Sequence, residues 1–300
     1  MKERIVIVGA GRIGNAIADL LRRNGHRVDL WDIVPGLVVG QQSLDVLIPQ
    51  ATGVILCAPS WATRAVAMSI VPMLPRTSFV LSFAKGIESG TNATVNQILA
   101  DCFPRHATGV VGGPMMAEEL VEGKGGIALI GVKKSVHARL RELFTKTGVQ
   151  VRFSADVRGV AYAGTLKNIY AFALGIAAGA GWGVNYRGWF ASQAVIEMVA
   201  IARFVGSDES LILGPAGIGD FIATAFSPHS RNRSVGEKLI QTGKCPKSEA
   251  TQSILPLCAI LGVKEVKKLP ILAGLSTILA GKRQIKGIVN DWKTLAEKLG

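Results

Sequence analysis

The sequence predicts an α/β protein, with a doubly wound, mostly parallel sheet over residues 1–155 and an all-helical domain over 156–300. Three observations carry that prediction. The chain opens with a strand, a glycine turn, a helix and a second strand in "RIVIVGAGRIGNAIADLLRRNGHRVDLWD", residues 4–32. Short β-like runs then alternate with helical stretches as far as Phe153. After about Asp156 strand patterns stop, and long apolar helices rich in alanine and glycine take over. At 300 residues and 49% hydrophobic, the chain has material for two cores.

Each element follows from local chemistry. Arg4 to Val8 reads as a buried strand and Gly9, Gly11 and Gly14 as a tight turn. Asn15 to Arg23 reads as a helix stopped by Asn24-Gly25, and Val28 to Trp31 as the next strand. The G-x-G-x-x-G spacing in that context points to a dinucleotide. One glycine allows the sharp turn, one lets backbone approach a pyrophosphate, and one lets helix pack on strand. Free N–H groups at the helix start then face the phosphates.

Asp32 ends the second strand, where a carboxylate accepts hydrogen bonds from an adenosine ribose and repels a 2′-phosphate. NAD is therefore favoured over NADP, although Arg12, inside the turn, can meet a phosphate and keeps NADP open. Further strands are expected at Gly53 to Ala58, Phe79 to Phe83, Thr108 to Val111, Ile127 to Ile130 and Val149 to Phe153. Helices are expected at Ala62 to Ile70, Thr91 to Ala100 and Arg139 to Lys146.

In the second half, "AGTLKNIYAFALGIAAG" sets one charge among small and apolar residues. Lys167 and Asn168 are read as beginning this helix. A buried lysine loses hydration unless an acid partner compensates it, and it can serve an oxygen that gains negative charge. The bland alternative is a lysine that snorkels from a helix end.

Downstream, Gly217 and Gly219 read as a turn before Asp220, with Thr224 four residues on and on the same helix face. Asp220 is either an N-cap or the acid beside Lys167. Arg231 and Asn232 offer a guanidinium fork and an amide, suited to a phosphate or carboxylate. His229 is given no role.

Composition narrows the class. The four cysteines are scattered without metal-ligand spacing, so a reduced, cytoplasmic, metal-free protein is expected. The N-terminus lacks a signal-peptide pattern. The uncharged stretch from Ile169 to Val184 is shorter than the roughly 20 residues of a membrane span. The net charge of +13 is spread along the chain without basic blocks interleaved with aromatics. A field that attracts small anions is expected rather than nucleic-acid binding, and no membrane association is expected.

The blocks "GAGRIG", "CAPSWATR", "FAKGIE", "GGPMMAEEL", "GTLKNIYAFALGIAAG" and "GPAGIGDFIATAFSPHSRNRSVG" occur in this order. Together they resemble the NAD(P)-dependent sn-glycerol-3-phosphate dehydrogenase family of the soluble bacterial type, from residue 4 to about 240. The resemblance implies an N-terminal Rossmann domain, an all-helical C-terminal domain, an active site between them, a small phosphorylated substrate and a homodimer. It implies that Lys167 is the catalytic lysine and that Lys85 is a second lysine facing the substrate. It further implies that Asp220 and Thr224 orient that lysine and the substrate, and that Asn168, Arg231 and Asn232 bind substrate. At the cofactor it places Gly9, Gly11, Arg12, Ile13, Gly14, Asp32, Pro59, Lys85 and Arg231. The implied reaction is reversible hydride transfer between the nicotinamide and dihydroxyacetone phosphate.

The chain departs from the family pattern in several places. Ala84 stands where a serine is usual before Lys85, and Met115 and Met116 follow Pro114 where Ser-Phe is usual. Ser192-Gln193-Ala194 replaces Thr-Arg-Gly ahead of Glu197-Met198, Ala250 replaces a glycine after Glu249, and the span from Asp32 to Gly53 is short. These changes leave room for another phosphorylated or carboxylated 2-keto substrate, or for a non-catalytic nucleotide-binding relative.

Overall fold

The structure is a computed structural model that describes residues 2–227 and 230–298, the last two of these by backbone alone. His229 lies outside the described residues. The chain divides into two units, one of Met1–Lys85 with Ala93–Ala161, the other of Gly86–Asn92 with Tyr162–Gly300.

The first unit runs β1 (Arg4–Val8), α1 (Arg12–Arg23), β2 (Arg27–Trp31), α2 (Leu44–Leu47), β3 (Gly53–Leu56), α3 (Thr63–Ile70) and β4 (Phe79–Ser82). It continues with α4 (Val95–Cys102), β5 (Ala107–Gly112), α5 (Ala117–Val121), β6 (Gly126–Val132), α6 (His137–Leu143) and β7 (Val149–Ser154). The seven strands line up as β2-β1-β3-β4-β5-β6-β7, the expected doubly wound sheet. β3 and β4 are buried along their whole length because helices cover the sheet, and all their residues but Ser82 are apolar or glycine for that reason. α1 lays Ala16, Ile17, Leu20 and Leu21 into the core and keeps Asn15 and Asp19 outside.

One strand departs from the parallel expectation, since β6 pairs antiparallel with β5. The cause is the connector. α5 has five residues, ~7.5 Å of helix, too little to return the chain along a strand of ~20 Å. The chain turns back at the same end of the sheet instead.

At the N-terminal ends of the strands, Arg139 of α6 grips Glu3 with two parallel bonds of 2.8 and 2.9 Å. It also donates to the carbonyls of Thr52 and Thr77. This cation fastens the starts of β1, β3 and β4 to α6.

Three helix starts differ from expectation by three residues or more. α1 begins at Arg12 rather than Asn15, because Gly11 serves as its N-cap. α4 begins at Val95 rather than Thr91. Gln97 reaches back to the Thr94 N–H at 2.9 Å, while Asn92 holds a left-handed φ of 58° that ends the preceding turn.

The largest shift is in α7 (Val157–Gly179), where Lys167 and Asn168 sit mid-helix instead of beginning it. Asp156 opens that helix by accepting from the Gly159 N–H at 2.8 Å. From Gly159 to Ala177 every residue is buried, so no polar face marks the helical period.

After α7 the helical unit continues with α8 (Val184–Phe204), α9 (Glu209–Leu213) and a turn of π-helix at Pro215–Gly219, where a simple turn was expected. There follow α10 (Asp220–Phe226), α11 (Arg231–Thr242), α12 (Glu249–Val266, broken at Gly262), α13 (Pro270–Leu279) and α14 (Ile285–Lys298). The segment Gly86–Asn92 is tied into this unit by the Ile87 N–H, which donates to Ser253 Oγ at 3.1 Å.

Candidate active site

The glycine turn is built by contact. Gly9 takes φ +110°, and a side chain there would press on the Cys57–Ala58 backbone at 2.7–2.9 Å. A side chain at Gly14 would collide with the Gly9 carbonyl oxygen, whereas one at Gly11 would project into open space. Gly11 is exposed and caps α1 without a side chain, so the first N–H groups of that helix, at Arg12, Ile13 and Gly14, have no side-chain cap. This is the space and the polarity a pyrophosphate needs, and the residues fit a dinucleotide.

Asp32 is drawn onto this turn. Its Oδ2 accepts from the Ala10 N–H at 2.7 Å and its Oδ1 from the Val34 N–H at 3.0 Å. Pro59 is exposed just past the end of β3, in the segment that backs Gly9. Lys85 is half-buried, three residues past the end of β4. All these residues stand at the carboxyl ends of β1 to β4, where open α/β sheets bind ligands. Arg12, exposed, pairs with Glu118 of α5 at 2.5 Å.

In the helical unit, Lys167 is 8% exposed, and its Nζ donates to Asp220 Oδ1 at 3.1 Å and to Thr224 Oγ1 at 2.8 Å. The Thr224 hydroxyl donates in turn to Asp220 Oδ1 at 3.3 Å. Asp220 is the first residue of α10, and its side chain goes to the lysine. The predicted four-residue spacing thus sets two oxygens on one ammonium.

Asn168, also buried, accepts at Oδ1 from Asn232 Nδ2 at 2.9 Å, and Asn232 Oδ1 accepts from the Ala250 N–H at 3.3 Å. Arg231 is exposed at the start of α11, one guanidinium nitrogen 3.4 Å from the Lys247 carbonyl. The small residues of α7 explain how these helices meet. A side chain at Gly175 would strike the Arg233 carbonyl of α11, and one at Gly236 would strike the Phe172 carbonyl of α7. The two helices touch backbone to backbone, which carries Asn232 to Asn168.

Two features escaped the sequence reading. Gln41 clamps the Asp32 backbone, accepting from its N–H at 2.7 Å and donating to its carbonyl at 2.9 Å. Glu197 of α8, 4% exposed, accepts from the Tyr170 hydroxyl and from two backbone N–H groups of α13. Burial pushes its carboxyl up to about 7 against the lowering effect of those donors. A lone acid within "AVIEMVAIA" is the same kind of signal as the lone lysine. Burial also pushes the Cys57 thiol, beside the glycine turn, up to about 12, which leaves it an inert thiol.

Comparison with known proteins agrees with this geometry. The pattern described as NAD-dependent glycerol-3-phosphate dehydrogenase N-terminus matches residues 33–138, and the corresponding C-terminus pattern matches 156–290. The glycerol-3-phosphate dehydrogenase [NAD(P)+] of Geobacter sp. (strain M21) is 33% identical over 270 residues, covering 81% of this chain and 80% of its own. That of Staphylococcus aureus (strain JH9) is 33% identical over 264 residues, covering 79% and 80%. Among solved structures, the glycerol-3-phosphate dehydrogenase from Coxiella burnetii shares the fold with a TM-score of 0.85. It is 23% identical and covers 97% of this chain and 98% of its own. The glycine turn, the buried lysine centre and these relatives converge: the chain belongs to the NAD-dependent glycerol-3-phosphate dehydrogenase family.

Proposed function

We infer that the protein catalyses reversible hydride transfer between NAD(P)H and dihydroxyacetone phosphate, giving sn-glycerol 3-phosphate, with Lys167 as its catalytic group. The observation that carries this reading is the buried ammonium of Lys167, fixed by Asp220 and Thr224. The bound nicotinamide supplies the hydride. As the ketone at C2 becomes an alkoxide, the Lys167 ammonium stabilises the growing negative charge and gives the oxygen a proton. Asp220 and Thr224 hold that nitrogen in place, so no reorganisation is needed as the charge appears.

Lys85 adds a second positive charge toward the substrate. Asn168, Thr224 and Asn232 bind the substrate, and Arg231 holds its phosphate as a fork of donors and serves the cofactor as well. Gly9, Gly11, Arg12, Ile13, Gly14, Asp32, Pro59 and Lys85 form the cofactor site. NAD is the preferred cofactor. The Asp32 carboxylate repels a 2′-phosphate, and no basic residue occurs between Asp32 and Arg64 to receive one.

We further read the protein as a cytoplasmic homodimer whose domains divide at about residue 155. Its four free cysteines support a reducing compartment. Exposed apolar side chains of the helical unit, Ile196, Phe204, Ile222 and Leu255 among them, support a partner subunit. Among the described residues no single helix is long and apolar enough to cross a membrane.

The test is NADH oxidation with dihydroxyacetone phosphate, run against a panel of 2-keto acids. The phosphorylated ketone is expected to be the better substrate. Arg231→Ala should raise its KM about tenfold or more while kcat falls less. No oxidation with dihydroxyacetone phosphate, alongside turnover of a keto acid, would reject the substrate assignment.

A further inference from the structure

We propose that Glu197 is a positioning residue for the active-site lysine, acting through Tyr170 to hold α7 in the register that presents Lys167. The proposal rests on the reading of Lys167 given above.

The geometry is specific. Glu197 Oε2 accepts from the Tyr170 hydroxyl at 2.8 Å and from the Leu272 N–H at 3.0 Å, and Oε1 accepts from the Ile271 N–H at 2.6 Å. Ile271 and Leu272 open α13, whose N-cap Leu269 offers no side-chain acceptor. One carboxylate therefore ties α7, α8 and α13 together. Trp292 of α14 joins them by donating to the Pro270 carbonyl at 3.1 Å.

Tyr170 lies three residues beyond Lys167, about 60° round the helix and ~4.5 Å along it. Both are buried, and a regular helix passes rotation at one of them directly to the other. On another part of its surface α7 is fixed by backbone contact with α11 at Gly175 and Gly236. Lys167 and Asn168 bond α10 and α11, and the tyrosine bond is a separate polar fastening that ties α7 to α8 and α13, where the packing around it is otherwise apolar. Apolar packing alone permits small rotations, whereas a charge-assisted hydrogen bond sets one geometry.

The fastening is strongest while the carboxylate is ionised. Protonation weakens both oxygens as acceptors for all three donors. Burial places that change at about pH 7. The ionisable groups around it are few. Tyr170 faces it from α7, and burial keeps that phenol neutral. Cys258 of α12 lies beside the tyrosine, its thiol pushed up to about 11 by burial. α13 carries no ionisable side chain. Below neutrality α7 is expected to lose this fastening to α8 and α13, and kcat to fall with it.

The experiment compares the full-length wild type with Tyr170→Phe, Glu197→Gln and Lys167→Ala, measuring kcat, KM and NADH affinity from pH 5.5 to 9. The wild type should show a fall of kcat below about pH 7 with KM for NADH unchanged. Tyr170→Phe removes one oxygen and leaves Glu197 its two bonds to α13, so it should fold. Its kcat should drop about tenfold at pH 8, and the acid limb should disappear. Glu197→Gln should behave likewise, and if it fails to fold the tyrosine variant decides alone. A Tyr170→Phe enzyme with wild-type kcat and an unchanged acid limb overturns the proposal. A purely structural role would lower Tm and leave both untouched. Lys167→Ala separates the two levels. If it stays active the active-site reading itself fails, whereas an inactive Lys167→Ala beside a wild-type-like Tyr170→Phe refutes only the positioning role.

Discussion

Asp220 and Glu197 both bury a carboxylate against α7, and they meet residues only three positions apart on it, Lys167 and Tyr170. Asp220 meets a cation and a hydroxyl. Glu197 meets a phenol and two backbone N–H groups, and among the described residues no cation pairs with it. The first arrangement is an ion pair, each charge compensating the other's lost hydration. The second is a lone charge held by neutral donors, which is why burial brings its titration to about 7. One helix thus carries a charged centre proposed for chemistry and, a turn away, a fastening that responds to pH.

Removing the charge from the first carboxylate should have the larger effect. Asp220→Asn leaves the Lys167 ammonium buried without its counter-charge. It should cost about 3–5 kcal/mol of stability. It should also lower kcat by about two orders of magnitude. Denaturant unfolding and steady-state kinetics check both.

A smaller effect is expected at the backbone contact between α7 and α11. Gly175→Ala puts a methyl group against the Arg233 carbonyl and should cost about 1–3 kcal/mol. It should raise the substrate KM as Asn232 moves off Asn168. Gly188→Ala, whose methyl would meet nothing within 4 Å, serves as the control.

The smallest effect is on stability against pH. Glu197 has a folded value above its ordinary 4.5, so the folded state holds the extra proton between 4.5 and about 7. Its contribution to unfolding free energy therefore falls as pH rises through that window and is flat above it. Glu3 has the opposite sign. Burial alone would raise it, but the bonds from Arg139 and Thr52 and the charges of Arg139 and His26 together outweigh burial and hold it below its ordinary value. Its stabilisation is present above 4.5 and lost as pH falls through the lowered value. Tm measured between pH 5 and 8 should differ in slope between wild type and Glu197→Gln, in the direction of the first effect.

Much of this was legible in the sequence, for physical reasons. The strand–turn–helix opening shows because α1 has one apolar face and one polar face, and because glycines were needed at steric positions. The Lys167–Asp220–Thr224 centre shows because a lone lysine in an apolar run demands a partner, and Asp220 and Thr224 share a helix face. The start of α7 was hidden because a helix buried on all sides has no period to read. The reversal of β6 was hidden because a strand buried on both faces looks the same in either direction. Gln41 stayed invisible because its partners are backbone groups chosen by loop closure.

The most direct measurement is the turnover of Lys167→Ala beside its affinity for NADH. Its kcat should be lower by about 10²–10³-fold or more, with NADH binding within about twofold of wild type, since Lys167 is not among the residues proposed to hold the nucleotide. Near-normal kcat in a folded, NADH-binding variant would contradict Lys167 as the catalytic group.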